Sequence, residues 1–250
     1  MIIDCAHYQD GRRQGEGAVP LEEAAARCGQ GGFVWLGLFE PGDEELAQVR
    51  DTFGLHELAV EDAQNFHMRP KVESYDHDVQ LVILRTARYD DDAEEVEFGE
   101  ISVFLAPAFV IAVRQGVASE LRGARQRLEQ RPDLLAAGSS SALWAILDQV
   151  VDGYAPVVAG LERDIDQIEA TVFSGAVAPT ERIYSLRREA TTSTVPSIRC
   201  SPWSPPSSAS PRPRSLGRIC VTCRITCCWS MRRSPRNVTC SARCCRPTWR

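Results

Sequence analysis

The chain has 250 residues, 44% of them hydrophobic and 25% charged, and a formal net charge of −6, which is enough for one sizeable domain with an appendage. Its first residues, MIIDCAHYQD, place an acid where a secretory signal peptide needs a basic region followed by an apolar one. The longest uncharged run of the strand-rich region, Ile101 to Val113, has 13 residues, fewer than the ~20 of a membrane helix. We therefore expect neither an export signal nor a membrane span.

From Phe33 onward the hydrophobic pattern predicts alternating strands and helices. Short apolar runs rich in β-branched and aromatic residues predict four strands, at 33–39, 79–89, 96–106 and 109–115. After the first strand, Asp43 is predicted to cap a helix that ends at Gly54. This alternation favours an α/β fold class, with a mixed β-sheet flanked by helices over residues 1–135.

Beyond residue 135 the apolar residues recur at spacings of three and four, which is typical of a long helix. These positions run from Leu143 to Val172, and Pro156 within them predicts a local kink rather than an end, because it removes one backbone hydrogen bond. Four acids are predicted on the opposite faces: Glu162, Asp164, Asp166 and Glu169. We expect a long helical arm over residues 136–190.

Three ordered segments carry a resemblance. They are HELAVEDAQNFHMRPKVESYDHDVQLVILR at 56–85, GEISVFLAPAFVIAV at 99–113, and LDQVVDGYAPVVAGLERDIDQIE at 147–169. In order and spacing they resemble the cytosolic domain of the CorA family of pentameric divalent-cation transporters, which carry Mg2+ and Co2+. The resemblance covers roughly residues 30–190, and three segments in the right order make it specific.

Glu61 and Asp62 are adjacent near a predicted helix end, and hard cations such as Mg2+ are bound by carboxylate oxygens. In the CorA family, acids at these two positions and at the position matching Asp148 form divalent-cation sites between neighbouring subunits, where bound metal holds the closed state. The resemblance therefore implies metal sites at Glu61, Asp62 and Asp148, with Mg2+ or Co2+ as regulatory ligand and transported ion. From spacing alone, the alternative is that these acids are simply solvated.

The remaining motifs of the first 190 residues favour structural interpretations. Arg69-Pro70-Lys71 is predicted to form a corner with its charges paired to Glu73 or Asp76, rather than an anion-binding site. His56 begins like the metalloprotease motif HExxH, but Val60 stands where the second metal ligand is needed. The sequence contains no phosphate-binding loop and no nucleophile elbow, so we do not expect an enzyme.

Residues 191–250 differ in composition from the rest. They contain 11 of the 28 basic residues and none of the 34 acidic ones, with a spaced cysteine cluster from Cys220 to Cys245. A zinc module and a nucleic-acid-binding arm are alternative interpretations of this segment. A shift of the reading frame near Thr191–Thr192 explains more of its composition. One Lys against 27 Arg indicates GC-rich coding DNA, and the next frame permits CorA-like sequence, with two leucines forced at Cys227-Cys228. We expect this tail to be disordered.

The sequence thus predicts the regulatory cytosolic domain of a CorA-type magnesium and cobalt transporter, which lacks the family's Gly-Met-Asn pore signature and is inactive alone. We expect a homo-oligomer, a pentamer in the family, with no nucleic-acid partner and with membrane attachment only through the missing C-terminal helices. The family lies in the inner or plasma membrane with this domain in the cytoplasm, where this chain is also expected. The alternative is a soluble binding protein with a basic nucleic-acid- or zinc-binding tail.

Overall fold

The computed structural model describes residues 1–15, 17–28, 30–67, 70–76, 78–117, 120–174 and 180–193. The elements in chain order are β1 (Ile2–Gln9), β2 (Arg12–Gln14), α1 (Leu21–Arg27), β3 (Phe33–Phe39), α2 (Asp43–Phe53), α3 (Glu57–Gln64), β4 (Lys71–Ser74), β5 (Gln80–Asp90), β6 (Glu95–Leu105), β7 (Phe109–Gly116), α4 (Arg122–Glu129), α5 (Pro132–Leu135), α6 (Ser139–Phe173) and α7 (Thr180–Ser193). The expectation of a disordered tail and the cysteine cluster both fall outside the described residues.

The strands form one seven-stranded sheet in the order β2-β1-β3-β7-β6-β5-β4. β3 and β7 pair in parallel, and the other neighbours pair antiparallel. The predicted mixed sheet flanked by helices is therefore confirmed, and all four predicted strands are present, with ends within one residue of those expected. β1, β2 and β4 were not predicted. The signal for the first two is Asp10-Gly11, whose positive φ angles of 51° and 73° make the tight turn that Asp-Gly favours in hairpins.

Helices cover both faces of the sheet. Successive residues of its central strands point to opposite sides, so alternate residues of one strand belong to different cores. On one face Val34, Leu36 and Leu38 of β3 share a core with residues of α1, α2 and α3. On the other face Phe33 and Trp35 of the same strand share a core with residues of α4, α5 and α6. α3 and the first part of α6 consequently lie on opposite sides of the sheet.

The predicted long helix is confirmed as α6, and Pro156 lies within it without ending it. Its residues from Ala142 to Val150 belong to the same core as the sheet, and Val157 and Leu161 pack against the β5–β6 hairpin. The predicted division of the chain at residue 135 therefore does not coincide with a break in packing. Neither α6 nor any other described helix combines the length and apolar character needed to cross a membrane.

The prediction that Asp164 lies with the other acids on an outer face of the helix is wrong, because the end of the β5–β6 hairpin covers this turn of α6. Asp164 is only 3% exposed, and the Tyr89 hydroxyl lies 2.8 Å from each of its carboxylate oxygens. Arg182 of α7 donates to Oδ1 at 3.3 Å and pairs with Glu94 of the hairpin at 2.6 Å. A buried carboxylate is tolerated where hydrogen bonds and a counter-charge satisfy it, and these contacts join hairpin, α6 and α7.

The contact between α6 and the hairpin leads to a stability prediction. A Cβ atom added at Gly160 would lie 2.4 Å from ring carbons of Tyr89, whereas at Gly123 of α4 it would lie no closer than 3.5 Å to the flexible end of the Arg127 side chain. Alanine gains up to about 1 kcal/mol over glycine within a helix. We expect Gly123→Ala to be neutral or stabilising, and Gly160→Ala to lose about 1–3 kcal/mol because the Tyr89 ring must shift.

Urea unfolding of the two variants measures this difference. Gly123→Ala is the matched control, since it makes the same substitution in a helix without meeting a ring. Equal stabilisation of both variants would contradict the packing of Tyr89 on α6.

Candidate metal site

Asp62 lies in the last turn of α3, on the side of the sheet covered by α1 and α2. The helix begins after His56, whose ring Nδ1 accepts a hydrogen bond from the Leu58 N–H at 3.2 Å, the role of an N-terminal cap. Ala59, Val60 and Ala63 are buried against the core. This pattern leaves Glu61 exposed and Asp62 half-buried at the margin of the helix.

Edge strand β4 brings two charged side chains to Asp62. Its antiparallel register with β5 places Lys71 opposite Ile83 and Glu73 opposite Leu81. Ile83 and Leu81 belong to the core beneath α3, and directly opposed residues point to the same face of a sheet. Strand alternation thus directs a cation and an anion towards the last turn of α3.

These side chains form a network that we call the Lys71 cluster, made of Asp62, Lys71, Glu73 and Tyr75. Lys71 Nζ donates to Asp62 Oδ2 at 2.7 Å and to Glu73 Oε1 at 3.2 Å. The Tyr75 hydroxyl lies 3.2 Å from Asp62 Oδ2 and 2.8 Å from Glu73 Oε2. The predicted pairing of the corner's charges to Glu73 is confirmed for Lys71, while Arg69 lies outside the described residues.

The electrostatics of the cluster favour its charged form. Burial opposes ionisation of Asp62, but the hydrogen bond and charge of Lys71 outweigh it and hold the pKa of this carboxyl below its usual value. Burial likewise works against the Lys71 ammonium, yet hydrogen bonds to Asp62 and Glu73 raise the pKa of its amine. Asp62 is therefore an ionised carboxylate with a cation already beside it.

A second carboxylate, Glu100 of β6, lies beneath the segment that leaves α3. It is 1% exposed and accepts a hydrogen bond from the His67 backbone N–H at 2.7 Å, while His67 Nδ1 lies 3.2 Å from its other oxygen. His67 Nε2 is 3.8 Å from Asp62 Oδ1. Sequence reasoning missed Glu100, because β6 carries three acids, at positions 95, 97 and 100, and the sequence does not reveal which of them the neighbouring segment covers.

The structure places the three predicted metal ligands in two groups. Glu61 and Asp62 are consecutive in α3, whereas Asp148 lies on α6 between Leu147 and Val150, which pack on the opposite face of the sheet. Across the described ranges, no three His, Cys, Asp or Glu side chains are grouped so as to hold a metal ion. Within one chain, the carboxylates of α3 and α6 are therefore too far apart to bind the same metal ion.

The chemistry of the donor set tests whether a divalent cation fits at Asp62. The carboxylate oxygens of Asp62 and Glu73 are hard ligands of the kind Mg2+ prefers, and both approach one point. The Lys71 ammonium occupies that point. These residues fit a cation, and they fit a metal ion only once Lys71 has moved away.

Comparison with known proteins assigns the chain to a family. The sequence profile described as "CorA-like Mg2+ transporter protein" matches residues 30–194, which include α3, β4 and α6. Among curated relatives, the cobalt/magnesium transport protein CorA of Thermotoga maritima is 27% identical over 145 residues, covering 57% of this chain and 41% of that protein. The magnesium transporter ALR1 of Saccharomyces cerevisiae is 28% identical over 163 residues, 63% of this chain and 19% of that protein. The chain thus spans less than half the length of these relatives.

A solved structure supports the fold. The soluble domain of CorA from Methanocaldococcus jannaschii aligns with 76% of this chain and 71% of its own, with a TM-score of 0.52 and 17% sequence identity. At this identity the similarity establishes the fold class, an α/β domain with a long helix, and no individual residue role.

The tie between Glu100 and His67 yields a prediction with a control on the same strand. Glu100→Gln keeps the shape of the side chain but removes its charge and one acceptor, so we expect a loss of about 1–3 kcal/mol of stability. Glu97, which pairs with Arg88 on the surface at 2.6 Å, is the control, and Glu97→Gln is expected to cost less than about 1 kcal/mol. Urea unfolding measures the loss of stability in both variants. Equal losses would contradict a stabilising role of Glu100 beneath His67.

Proposed function

Because the chain belongs to the CorA-like Mg2+ transporter protein family, we propose that its α/β domain is the regulatory cytosolic domain of a CorA-type magnesium and cobalt transporter rather than an enzyme. The observation that carries this proposal is the family match over residues 30–194. A fold shared with the soluble domain of CorA supports it. In this proposal the domain faces the cytoplasm and assembles as a homopentamer without nucleic acid, and attachment to the inner or plasma membrane needs further helices.

We further propose that Glu61, Asp62 and Asp148 supply carboxylates to divalent-cation sites between neighbouring copies of the chain. The placement of α3 and α6 on opposite faces of the sheet supports an intermolecular arrangement, because two copies can bring together what one copy separates. Carboxylates that meet across an interface repel one another until a cation lies between them. Bound Mg2+ or Co2+ would therefore stabilise association and act as the regulatory ligand as well as the transported ion.

The tail enters the proposal as an aberrant segment. The family match ends at residue 194, close to Thr191–Thr192, where we propose that the reading frame changes. The residues after this point would then no longer encode the family's stalk, so the cation site that the stalk completes would be incomplete. In this proposal 1–135, 136–190 and 191–250 remain the limits of the α/β domain, of the helical arm that packs against it, and of the tail.

Metal-dependent stabilisation tests the proposal. We expect low millimolar Mg2+ to change the melting temperature of the present chain little, because the site is incomplete. A chain with the shifted frame restored through the stalk should gain a Mg2+-dependent rise in melting temperature and in oligomer size, since metal then bridges subunits. Differential scanning fluorimetry and sedimentation velocity measure the two effects.

Two substitutions at aspartates distinguish a specific site from general screening of an acidic protein. Asp62→Asn should abolish the rise in the restored chain, whereas Asp166→Asn, at an exposed position of α6, should leave it intact. Equal stabilisation with and without Asp62 would contradict the assignment of Asp62 as a metal ligand.

A further inference from the structure

Lys71 is the one lysine of a chain that otherwise uses 27 arginines. Its ammonium is a compact point charge with three donors, in contrast to the wide planar fork of arginine. The nitrogen lies within 3.2 Å of one oxygen from each of two carboxylates, Asp62 and Glu73. A small cation between two oxygen ligands from different elements of the fold is the arrangement that a hard metal ion would also adopt.

We infer that Lys71 is a tethered cation that occupies the metal position between Asp62 and Glu73, so that a divalent ion binds Asp62 only by displacing it. The inference rests on the proposed function, and it adds Glu73 as a second carboxylate ligand from the same chain. Lys71 then sets the affinity of the site, because metal must compete with a charge that never leaves the molecule.

The geometry permits such an exchange. The side chains of Asp62 and Lys71 are 28% and 29% exposed, so solvent reaches both partners. A lysine stem can swing its ammonium into water while its methylene groups stay on the protein surface. Asp62 and Glu73 stay in place when the ammonium leaves, since Tyr75 is hydrogen-bonded to both and each belongs to a packed element.

The net charge of the Lys71 cluster determines how well Mg2+ competes with the Lys71 ammonium. Two carboxylates and one ammonium leave a net negative charge in the cluster, which attracts a dication. With the ammonium in place, an incoming Mg2+ meets a like charge at close range, and the repulsion between them reduces its affinity. Removing the ammonium leaves two neighbouring carboxylates without a counter-charge, which destabilises the metal-free protein and favours the metal-bound one.

Lys71→Met in the full chain is the direct test, because methionine keeps an apolar stem and removes the charge. We expect Mg2+ to bind this variant at least about tenfold more tightly than the unmodified chain, and its melting temperature to rise with Mg2+ where that of the unmodified chain changes little. Lys71→Arg should show no such gain. Arg88→Met, which removes a cation from a surface pair with the single carboxylate of Glu97, is the matched control and should also show none.

Double variants assign the ligands. Adding Glu73→Gln or Asp62→Asn to Lys71→Met should abolish the gain in affinity measured by isothermal titration calorimetry. A gain that survives Glu73→Gln would overturn the role of Glu73. Should Lys71→Met lose its far-UV circular dichroism, Lys71→Gln takes its place with the same expected gain.

Two measurements separate the tethered-cation inference from the proposed function: Mg2+ binding by the frame-restored chain and Mg2+ binding by Lys71→Met. If the frame-restored chain binds Mg2+ through Asp62 but Lys71→Met does not raise the affinity, the tethered-cation inference is wrong and the proposed function stands. If neither the restored chain nor Lys71→Met binds Mg2+ in a manner that depends on Asp62, both are wrong.

Discussion

The sheet is buried on both faces, and this burial governs where every functional side chain can lie. Alternate residues of β3 feed two separate cores, one beneath α1, α2 and α3 and the other beneath α4, α5 and α6. Asp62 and Asp148 stand on helices of different layers, separated by the strands themselves. No rotamer change can join them across a packed sheet, because interiors at this density leave no passage for side chains. In the proposed function, the two carboxylates can therefore meet only in an assembly of chains.

Three carboxylates near this sheet show how burial decides which charges can be exchanged. Asp164 is 3% exposed and Glu100 is 1% exposed, so removing a partner would leave a desolvated group at a cost of several kcal/mol. Asp62, at 28% exposure, pays little to exchange one cation for another, because water already solvates part of it. Asp164 and Glu100 therefore support the structure, whereas the exposure of Asp62 is consistent with the reversible ion binding proposed for it.

Much of the fold follows from local pattern, whereas the site depends on register. The apolar runs of β3, β5, β6 and β7 and the helical spacing of α6 were predicted correctly, since each is a continuous signal within a short window. β4 escaped prediction because KVES carries one apolar residue, and its place is fixed by pairing with β5. Asp62 was predicted as a metal ligand from the family resemblance. Its contact with Lys71, however, depends on the pairing of β4 with β5. The burial of Asp164 likewise depends on a distant element, because Tyr89 of the β5–β6 hairpin lies 75 residues earlier in the chain.

The position of Asp164 along α6 explains why a charged network occurs there. The apolar seam of the helix is buried through Leu161, but Ile165 is already 41% exposed, so hydrophobic packing ends within one turn of Asp164. Hydrophobic contact is non-directional and could not by itself fix the angle at which α7 folds back. Hydrogen bonds are directional, and Arg182 binds Asp164, Gln167 and Glu94 from a single side chain. The hydrogen bonds and ion pair of Arg182 thus orient α7 against α6, beyond the part of α6 that packs on the sheet.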